Sequence, residues 1–298
     1  MQIAHINNTA GIASIIAHGQ MNYGNLVDVF VFNRKTQNLF GGTKINYKFP
    51  VTRWNFLRKL QEYDIWHYHY PYGTLKRELE RRNNAKIYLK HYHGDDLRGT
   101  QDYDYCLVST PDLLAHAPNG RWLPNPIMIQ EIESIPKKNQ TDRIPKIAHY
   151  PYYKNYSAED YYTNVLSILE AEDKIELVEI FDMPHLLALN KMGECDIIIG
   201  KILPNIGWFG KFELEAMALG KPVIAYVSDI LFEEYKPPIY RTSKDTFKYD
   251  LEFLIENEGE RLRLGREGEV FVRKYHSIDA ALKIIDESYK KVAKSGSK

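Results

Sequence analysis

One stretch of the sequence constrains the fold more than any other. An apolar run at residues 196–199 leads into a loop with two glycines and then into a helix-forming run at 211–219. Gly220 stops that helix, and residues 223–226 form another short apolar run. Strand, glycine loop, helix and strand in this order are typical of a parallel sheet whose carboxyl edge faces a helix N-terminus, where anionic ligands bind.

The helix-forming run contains an acidic residue in apolar surroundings. Glu215 lies among the apolar residues of 214–219. A carboxylate buried there without partners would be costly, so it needs hydrogen-bond donors, and ligand hydroxyl groups are candidates. A position on the solvent-facing side of the helix is the alternative, and helical spacing alone leaves both open.

Short apolar strands alternate with helices on both sides of this stretch. Strands are predicted at 2–6, 26–32, 64–70, 86–91 and 103–109, and again at 146–150, 175–181, 195–199 and 223–226. Helices are predicted at 12–18, 52–63, 75–82, 158–171, 183–192, 211–219, 244–275 and 278–292. This alternation indicates parallel sheets, so we predict an α/β protein with two Rossmann-like domains facing a cleft.

The chain is long enough for two domains. It has 298 residues, and the segment 130–145 is polar and charged with two prolines, which is typical of an interdomain linker. We therefore expect two Rossmann-like domains, an N-terminal one at 1–139 and a C-terminal one at 140–277. The helix at 278–298 is expected to pack back on the first domain.

Composition excludes several classes of protein. Lys+Arg and Asp+Glu are equal at 39 each, so the charge does not indicate a nucleic-acid partner. The chain is expected to have no signal peptide, because its N-terminal residues go directly into a strand pattern, and no apolar run is long enough to span a bilayer. Cys106 and Cys195 lie in apolar runs and are expected to be buried and reduced. We expect a cytoplasmic protein, with peripheral contact to a membrane left open.

The stretch at 196–226 resembles the signature of retaining glycosyltransferases of the two-domain GT-B type, the large family 4. The resemblance is carried by Gly-Trp-Phe-Gly at 207–210 and by Leu-Glu-Ala-Met-Ala-Leu-Gly-Lys-Pro-Val-Ile at 214–224. Family members have two glutamates separated by seven residues. Glu215 matches the second, which in the family holds the ribose hydroxyls of the nucleotide. The first glutamate, which in the family contacts the transferred sugar, is absent here, and Gly207 occupies its position.

Segments of the first half carry the same resemblance. The run His-Tyr-His-Gly-Asp-Asp-Leu-Arg at 91–98 resembles the family's His-Gly-Ser-Asp-Leu-Arg loop. The cleft histidine of the family falls on His93, which is therefore implied to contact the donor sugar. Of the two basic positions that serve the diphosphate in the family, Lys154 matches the first, and the second is lost near Ser157. A solvated loop lysine is the alternative interpretation of Lys154.

The resemblance implies a complete site. His93 and Lys154 are its predicted catalytic residues. The predicted nucleotide-sugar-binding residues are Gly11, Gly207, Trp208, Phe209, Gly210, Lys211 and Glu215. Gly11 is included because the loop at 7–11 resembles a phosphate loop in its position between a strand and a helix, although a plain connection is the alternative.

Paired histidines raise the question of a metal. His67 and His69 project to one strand face, as do His91 and His93. Four histidines on neighbouring strands suit Zn²⁺, but no Glu or Cys accompanies them at ligand spacing. We predict no metal site and expect these rings to line the cleft or to be hydrogen-bonded.

The resemblance implies a metal-independent, cofactor-free hexosyltransferase. It would use a UDP or GDP sugar as donor, a sugar, glycan or glycolipid as acceptor, and front-face substitution, because the sequence offers no convincing carboxylate nucleophile. One alternative is a nucleotide-sugar-binding protein that has lost transfer activity, as Gly207 and Ser157 suggest. A nucleotide-sugar epimerase on the same plan is the other, and it would need an acid/base pair in the cleft.

Overall fold

A computed structural model of the chain describes residues 1–32, 41–69, 73–82, 85, 87–136, 144–151 and 160–295. The chain divides into two compact units. Unit 1 consists of Met1–Pro126 and His276–Lys298, and unit 2 is Ile127–Tyr275. Each unit has a parallel sheet with helices, so the predicted α/β class with two Rossmann-like domains is confirmed.

Unit 1 is built on a seven-stranded sheet in the order β3-β2-β1-β4-β5-β6-β7, with every pair parallel. Its strands are β1 (Gln2–Ile6), β2 (Leu26–Phe32), β3 (Thr43–Ile45), β4 (Ile65–His69), β5 (Ile87–Tyr92), β6 (Cys106–Val108) and β7 (Arg121–Trp122). Its helices are α1 (Ile12–Asn22), α2 (Pro50–Leu60), α3 (Gly73–Arg81) and α11 (Ile278–Ser295).

Alternate side chains of the unit 1 strands enter two separate cores. Trp66 of β4 packs with Phe56 of α2 on one face, whereas Ile65 packs with Ile16 of α1 and Ile285 of α11 on the other. Successive strand residues point to opposite faces, so a strand that is apolar throughout is buried on both sides. This arrangement places odd-numbered residues of β1 and β4 on the α1 and α11 face.

Unit 2 has a five-stranded parallel sheet in the order β12-β11-β10-β8-β9. Its strands are β8 (Lys146–His149), β9 (Glu176–Glu179), β10 (Ile197–Ile199), β11 (Val223–Ala225) and β12 (Tyr240–Arg241). Its helices are α4 (Ile129–Glu133), α5 (Asp160–Ala171), α6 (His185–Glu194), α7 (Lys211–Ala218), α8 (Asp229–Tyr235), α9 (Phe247–Glu256) and α10 (Glu258–Tyr275).

Helix α10 approaches the end of α7 very closely. A Cβ atom on Gly265 would lie 2.2 Å from the carbonyl oxygen of Gly220, and one on Gly268 would lie 3.1 Å from Cβ of Met217. Contacts this short are possible only because both helix residues lack side chains. The glycine that ends α7 is therefore held by a helix more than thirty residues further along the chain.

The interpretation of 130–145 as a linker is wrong for its first part. Helix α4 begins there, and Ile132 and Ile135 are buried. The helix has only five residues, so it carries too few apolar side chains to show helical periodicity in the sequence. Four further short elements, β3, β7, β12 and α8, also escaped prediction. None of the described helices is long and apolar enough to cross a membrane.

Candidate functional site

Glu215 lies inside helix α7 and is buried, with 6% of its surface exposed. Its Oε1 atom accepts a hydrogen bond from Nε2 of His185 at 2.7 Å and pairs with Nζ of Lys211 at 3.2 Å. Burial raises the pKa of the Glu215 carboxyl, but the Lys211 charge and the His185 hydrogen bond lower it more, so the pKa falls overall. The sequence suggested that ligand hydroxyl groups donate hydrogen bonds to Glu215, whereas two side chains of the protein, His185 and Lys211, already do so.

A second buried carboxylate on α7, Glu213, was missed by the sequence analysis. Its side chain is fully buried and accepts hydrogen bonds from the backbone N–H groups of Lys201 at 2.7 Å and Gly210 at 2.8 Å. A Cβ on Gly200 would lie 2.5 Å from Cγ of Glu213, so only glycine fits there. The sequence signal was an acid three positions after Gly210, the spacing of a capping box.

The loop before α7 is folded inward. Trp208 and Phe209 are buried and their rings stack with centroids 4.3 Å apart, so their side chains belong to the core of unit 2. Gly207 has φ of +71°, and its carbonyl oxygen accepts a hydrogen bond from the N–H of Ser228 at 3.1 Å. A Cβ on Gly207 would lie 3.2 Å from Cβ of Ser228. A glutamate at this position would be strained in backbone and crowded in space.

The remaining predicted site residues of unit 2 are Gly210, Lys211 and Lys154. Gly210 is the N-cap of α7, and Lys211 is the first residue of that helix. The ammonium of Lys211 pairs with Glu215, four residues further along. Lys154 and Ser157, the predicted diphosphate positions, lie outside the described residues.

The loop between β1 and α1 contains a polar residue that the sequence analysis passed over. Gly11 has φ of +77° and is the N-cap of α1. Asn7, the first residue after β1, has φ of +78° and is 1% exposed, and neither polar atom of its amide has a hydrogen-bond partner among the described residues. Burying such a group unpaired costs about 1–3 kcal/mol. A strained, unsatisfied amide at a strand end beside a helix N-terminus is typical of a ligand-binding position.

Five histidines of unit 1 form one cluster on the α1 and α11 face of the sheet: His5 on β1, His67 and His69 on β4, His91 on β5 and His93 just after it. Nδ1 of His5 lies 2.9 Å from Nε2 of His69, and Nδ1 of His69 lies 3.1 Å from Nε2 of His93. The sequence analysis found the two pairs but missed His5, because only the parallel pairing of β1 with β4 brings it beside them.

Two residues from helices close one end of this histidine cluster. Oε1 of Gln20, on α1, lies 2.8 Å from Nε2 of His5. The hydroxyl of Tyr289, on α11, lies 2.8 Å from Nδ1 of His67 and 3.3 Å from Nε2 of Gln20. Both helices therefore contribute hydrogen bonds to a polar network that lies under them.

Ser109 closes the other end, directly after β6. Its hydroxyl lies 2.7 Å from Nδ1 of His93 and 3.0 Å from Nε2 of His91. Both ring nitrogens of His93, the predicted catalytic histidine, are therefore engaged within the protein. Its backbone N–H donates to the carboxylate of Asp96, which sets the loop after β5.

Burial keeps the histidine cluster neutral. It lowers the pKa of His5 to about 4 and the pKa of His93 to about 3. For His67, His69 and His91, burial and then the neighbouring histidines lower the pKa well below its ordinary value. Each ring therefore has one N–H and one bare nitrogen at neutral pH.

The cluster also meets a distance criterion for metal binding. One ligand atom from each of His5, His67 and His69, and one from each of His69, His91 and His93, lie within 4.8 Å of one another. The rings of His67 and His69 are stacked with an interplanar angle of 8°. Because the lone pair of an imidazole nitrogen lies in the ring plane, two stacked rings do not point at one ion. The observed geometry suits hydrogen bonds between rings better than metal ligation.

Comparison of the sequence with known proteins identifies no relative. No protein-family model matches it, and no curated protein matches it significantly.

Solved structures, in contrast, match nearly the whole chain. Sucrose-phosphate synthase from Thermosynechococcus elongatus has a TM-score of 0.66 at 12% identity, covering 99% of this chain and 100% of that one. An α-glucosyltransferase in complex with UDP and a 13-mer DNA has a TM-score of 0.67 at 8% identity, covering 97% and 99%. UDP-GlcNAc 2-epimerase from Methanocaldococcus jannaschii has a TM-score of 0.51 at 12% identity, covering 92% and 98%.

These likenesses establish the architecture. The chain has the fold of the GT-B glycosyltransferases, as the resemblance implied. The same fold is found in a nucleotide-sugar epimerase, so the fold does not by itself decide the reaction.

Proposed function

We propose that the protein is a retaining, metal-independent glycosyltransferase that moves a hexose from a UDP or GDP sugar to a sugar, glycan or glycolipid acceptor. The observation that carries this proposal is Glu215, a buried and ionised carboxylate on the helix that follows the glycine loop. His185 and Lys211 both contact its Oε1 atom, so Oε2 is the oxygen that would accept hydrogen bonds from the ribose hydroxyls.

The remaining groups are assigned by charge and position. Lys211 and Lys154 would offset the negative charge of the diphosphate as it leaves, a task that preorganised positive groups perform without a metal. The backbone of Gly207 and Gly210 would approach the sugar, because the intervening aromatic side chains are buried. His93 would contact the transferred sugar. We propose front-face substitution, because the sequence offers no convincing carboxylate nucleophile.

Two observations favour a second candidate, a nucleotide-sugar-binding protein without transfer activity. Gly207 stands where the family's sugar-binding glutamate would be, and its positive φ and the nearby Ser228 leave no room for that side chain. Restoring a glutamate there would therefore test the strain of the loop as much as the chemistry. The likeness to an epimerase structure keeps epimerisation as a third outcome of the same assays.

Thermal unfolding in the presence of nucleotides and nucleotide sugars tests the proposal first. A ligand that binds only the folded protein raises the melting temperature, and the panel identifies base and sugar together. Product analysis then separates the candidates. Transfer places the sugar on an acceptor, epimerisation changes the sugar without an acceptor, and binding alone changes neither.

Glu215→Ala tests the carrying observation. Loss of hydrogen bonds to a charged group is worth about 1.5–3 kcal/mol, which corresponds to roughly 10- to 150-fold weaker binding of the nucleotide sugar in calorimetry. Glu233→Ala, which removes an exposed carboxylate from α8, is the matched control and should leave affinity unchanged. An unchanged affinity of folded Glu215→Ala would refute the site.

A further inference from the structure

The histidine cluster contains an unbroken line of hydrogen bonds. In order, its members are Gln20, His5, His69, His93, Ser109 and His91. The imidazoles of His5, His69 and His91 are buried and that of His93 is half-buried, and all four are neutral, so each has one donor and one acceptor nitrogen. Because each link needs one donor and one acceptor, the direction chosen at one end determines the direction of every other link.

The amide of Gln20 determines that direction. Its carbonyl oxygen faces His5 and its NH₂ group faces the hydroxyl of Tyr289. Nε2 of His5 must therefore donate to Gln20, and Nδ1 of His5 must accept from His69. The same assignment repeats along the line, so that His69 and then His93 donate from Nε2 and accept at Nδ1.

The ends of the line obey the same rule. The hydroxyl of Ser109 donates to Nδ1 of His93 and accepts from Nε2 of His91. Nδ1 of His91 is then bare, and it has no hydrogen-bond partner among the described residues. The hydroxyl of Tyr289 accepts from Gln20 and is left with its own proton to donate to Nδ1 of His67. This direction places the proton of His67 on Nε2 as well, an atom without a hydrogen-bond partner among the described residues.

We infer that this line is a positioning unit in which Gln20 and Tyr289 set the tautomer of His93. Rotating the Gln20 amide by half a turn would reverse every link and move every ring proton from Nε2 to Nδ1. The line therefore has two coherent states, and an amide on α1, held by a hydroxyl on α11, selects one of them. Gln20 on α1 and Tyr289 on α11 thereby act on His93, which follows β5. The rings of His5 and His69 lie between Gln20 and His93.

The selected state has a chemical consequence at His93. Its Nδ1 atom is bare, so a substrate hydroxyl that competes with Ser109 for this atom has to donate its proton to it. His93 would then act as a hydrogen-bond acceptor toward the sugar in the reaction proposed above. This step rests on the proposed function, whereas the tautomer assignment does not.

Nitrogen NMR of the histidine rings tests the assignment on the full chain without any substrate. Long-range ¹H–¹⁵N correlation spectra distinguish a nitrogen that carries a proton from a bare one, and single His→Gln variants assign the signals. We expect His5, His67, His69, His91 and His93 all to carry the proton on Nε2. Different tautomers at His5 and His93 in the wild-type protein would overturn the inference.

Variants at the two ends test the coupling. Gln20→Met removes the selecting amide, and the ¹⁵N shift of Nδ1 in His93 should move toward the mean of the bare and protonated values. Tyr289→Phe releases the amide and should act in the same direction, which keeps the test available if Gln20→Met does not fold. Ser109→Ala should change the tautomer of His91 while His5 and His93 keep theirs.

Tyr92→Phe is the matched control. Tyr92 lies between two of the histidines, but its hydroxyl donates to Asp102 at 2.5 Å and is outside the line. Its loss should leave every ring unchanged. Unchanged His93 shifts in both Gln20→Met and Tyr289→Phe would show a merely structural cluster. Stoichiometric binding of added Zn²⁺ by the histidine rings would show a metal site, and either result would overturn the inference. Neither result depends on nucleotide-sugar binding, so failure here is distinguishable from failure of the proposed function.

Discussion

Glu213 and Glu215 lie two positions apart on α7 and are both buried, but their carboxylates have different kinds of partner. Glu213 accepts backbone N–H groups from the loop that precedes the helix. Glu215 is held by two side chains, the imidazole of His185 and the ammonium of Lys211. The first carboxylate therefore stabilises the loop, whereas the second remains close to groups that a ligand could replace.

Replacing Glu213 with alanine should destabilise the protein. The change leaves the N–H groups of Lys201 and Gly210 buried without their charged acceptor, and the expected loss is about 3 kcal/mol. Urea unfolding measures it as a lower midpoint. Glu215→Gln, which keeps the size of the side chain and a hydrogen-bond acceptor, is the comparison and should lose about 1 kcal/mol. Equal losses in the two variants would contradict the separate roles.

Stability should fall steeply as the pH drops below about 6. Burial holds the pKa of folded His5 and of folded His276 at about 4, below the value near 6.5 of an unfolded histidine. The unfolded chain therefore binds protons that the folded protein does not, and stability present above pH 6.5 is lost between that pH and about 4. Each such histidine contributes about 1.4 kcal/mol per pH unit over that range.

Urea unfolding between pH 7.5 and 5 measures this dependence. His276→Gln should reduce the slope by the contribution of one proton. Stability that stays constant down to pH 5 would mean that the buried rings can bind protons in the folded state.

Two glycines of the same helix should respond to alanine in opposite ways. Gly265→Ala would place a Cβ atom 2.2 Å from the carbonyl oxygen of Gly220, so α10 and α7 would have to move apart. We expect a loss of at least 2 kcal/mol, the scale of overpacking in a core. A Cβ on Gly259 meets nothing within 4 Å, so Gly259→Ala should gain about 0.5–1 kcal/mol from helix propensity. Thermal unfolding of the two variants checks the contrast.

Substitution of His93 should lower turnover more than it weakens donor binding. In the proposed reaction His93 meets the transferred sugar, whereas Glu215 holds the nucleotide. His93→Gln, assayed by initial rates and by calorimetry with the donor, separates the two effects. An equal loss in both measurements would place His93 in donor binding and not in the chemical step.

The sequence predicted those parts of the fold that depend on local pattern. Apolar runs between helical segments indicated nine of the twelve described strands, since strands buried on both faces are apolar throughout. The glycine loop and Glu215 were found because a carboxylate among apolar residues is visible in the sequence itself. Helix α4 and strand β3 were missed because three to five residues carry too little periodicity.

Other parts of the candidate site depend on contacts that no local pattern contains. Glu213 looks like any acid in a first helical turn, and only the folded loop reveals its two backbone partners. His5 joins the other histidines through strand pairing, and Gln20 through the position of α1. The strain at Asn7 comes from its positive φ, and an asparagine after a strand does not indicate this backbone conformation in the sequence.

Helix α11 belongs to the unit whose other residues come first in the chain. Its Ile285 and Tyr289 pack against the same core as Ile3, and Tyr289 also supplies the hydroxyl that meets His67. During synthesis the N-terminal unit is therefore the first to emerge and the last to be completed. Until α11 arrives, the sheet face that α11 shares with α1 lacks the apolar side chains of α11 and this hydroxyl, while all of unit 2 has already been made. Unit 2 is therefore complete, and able to fold, before unit 1 has all of its residues.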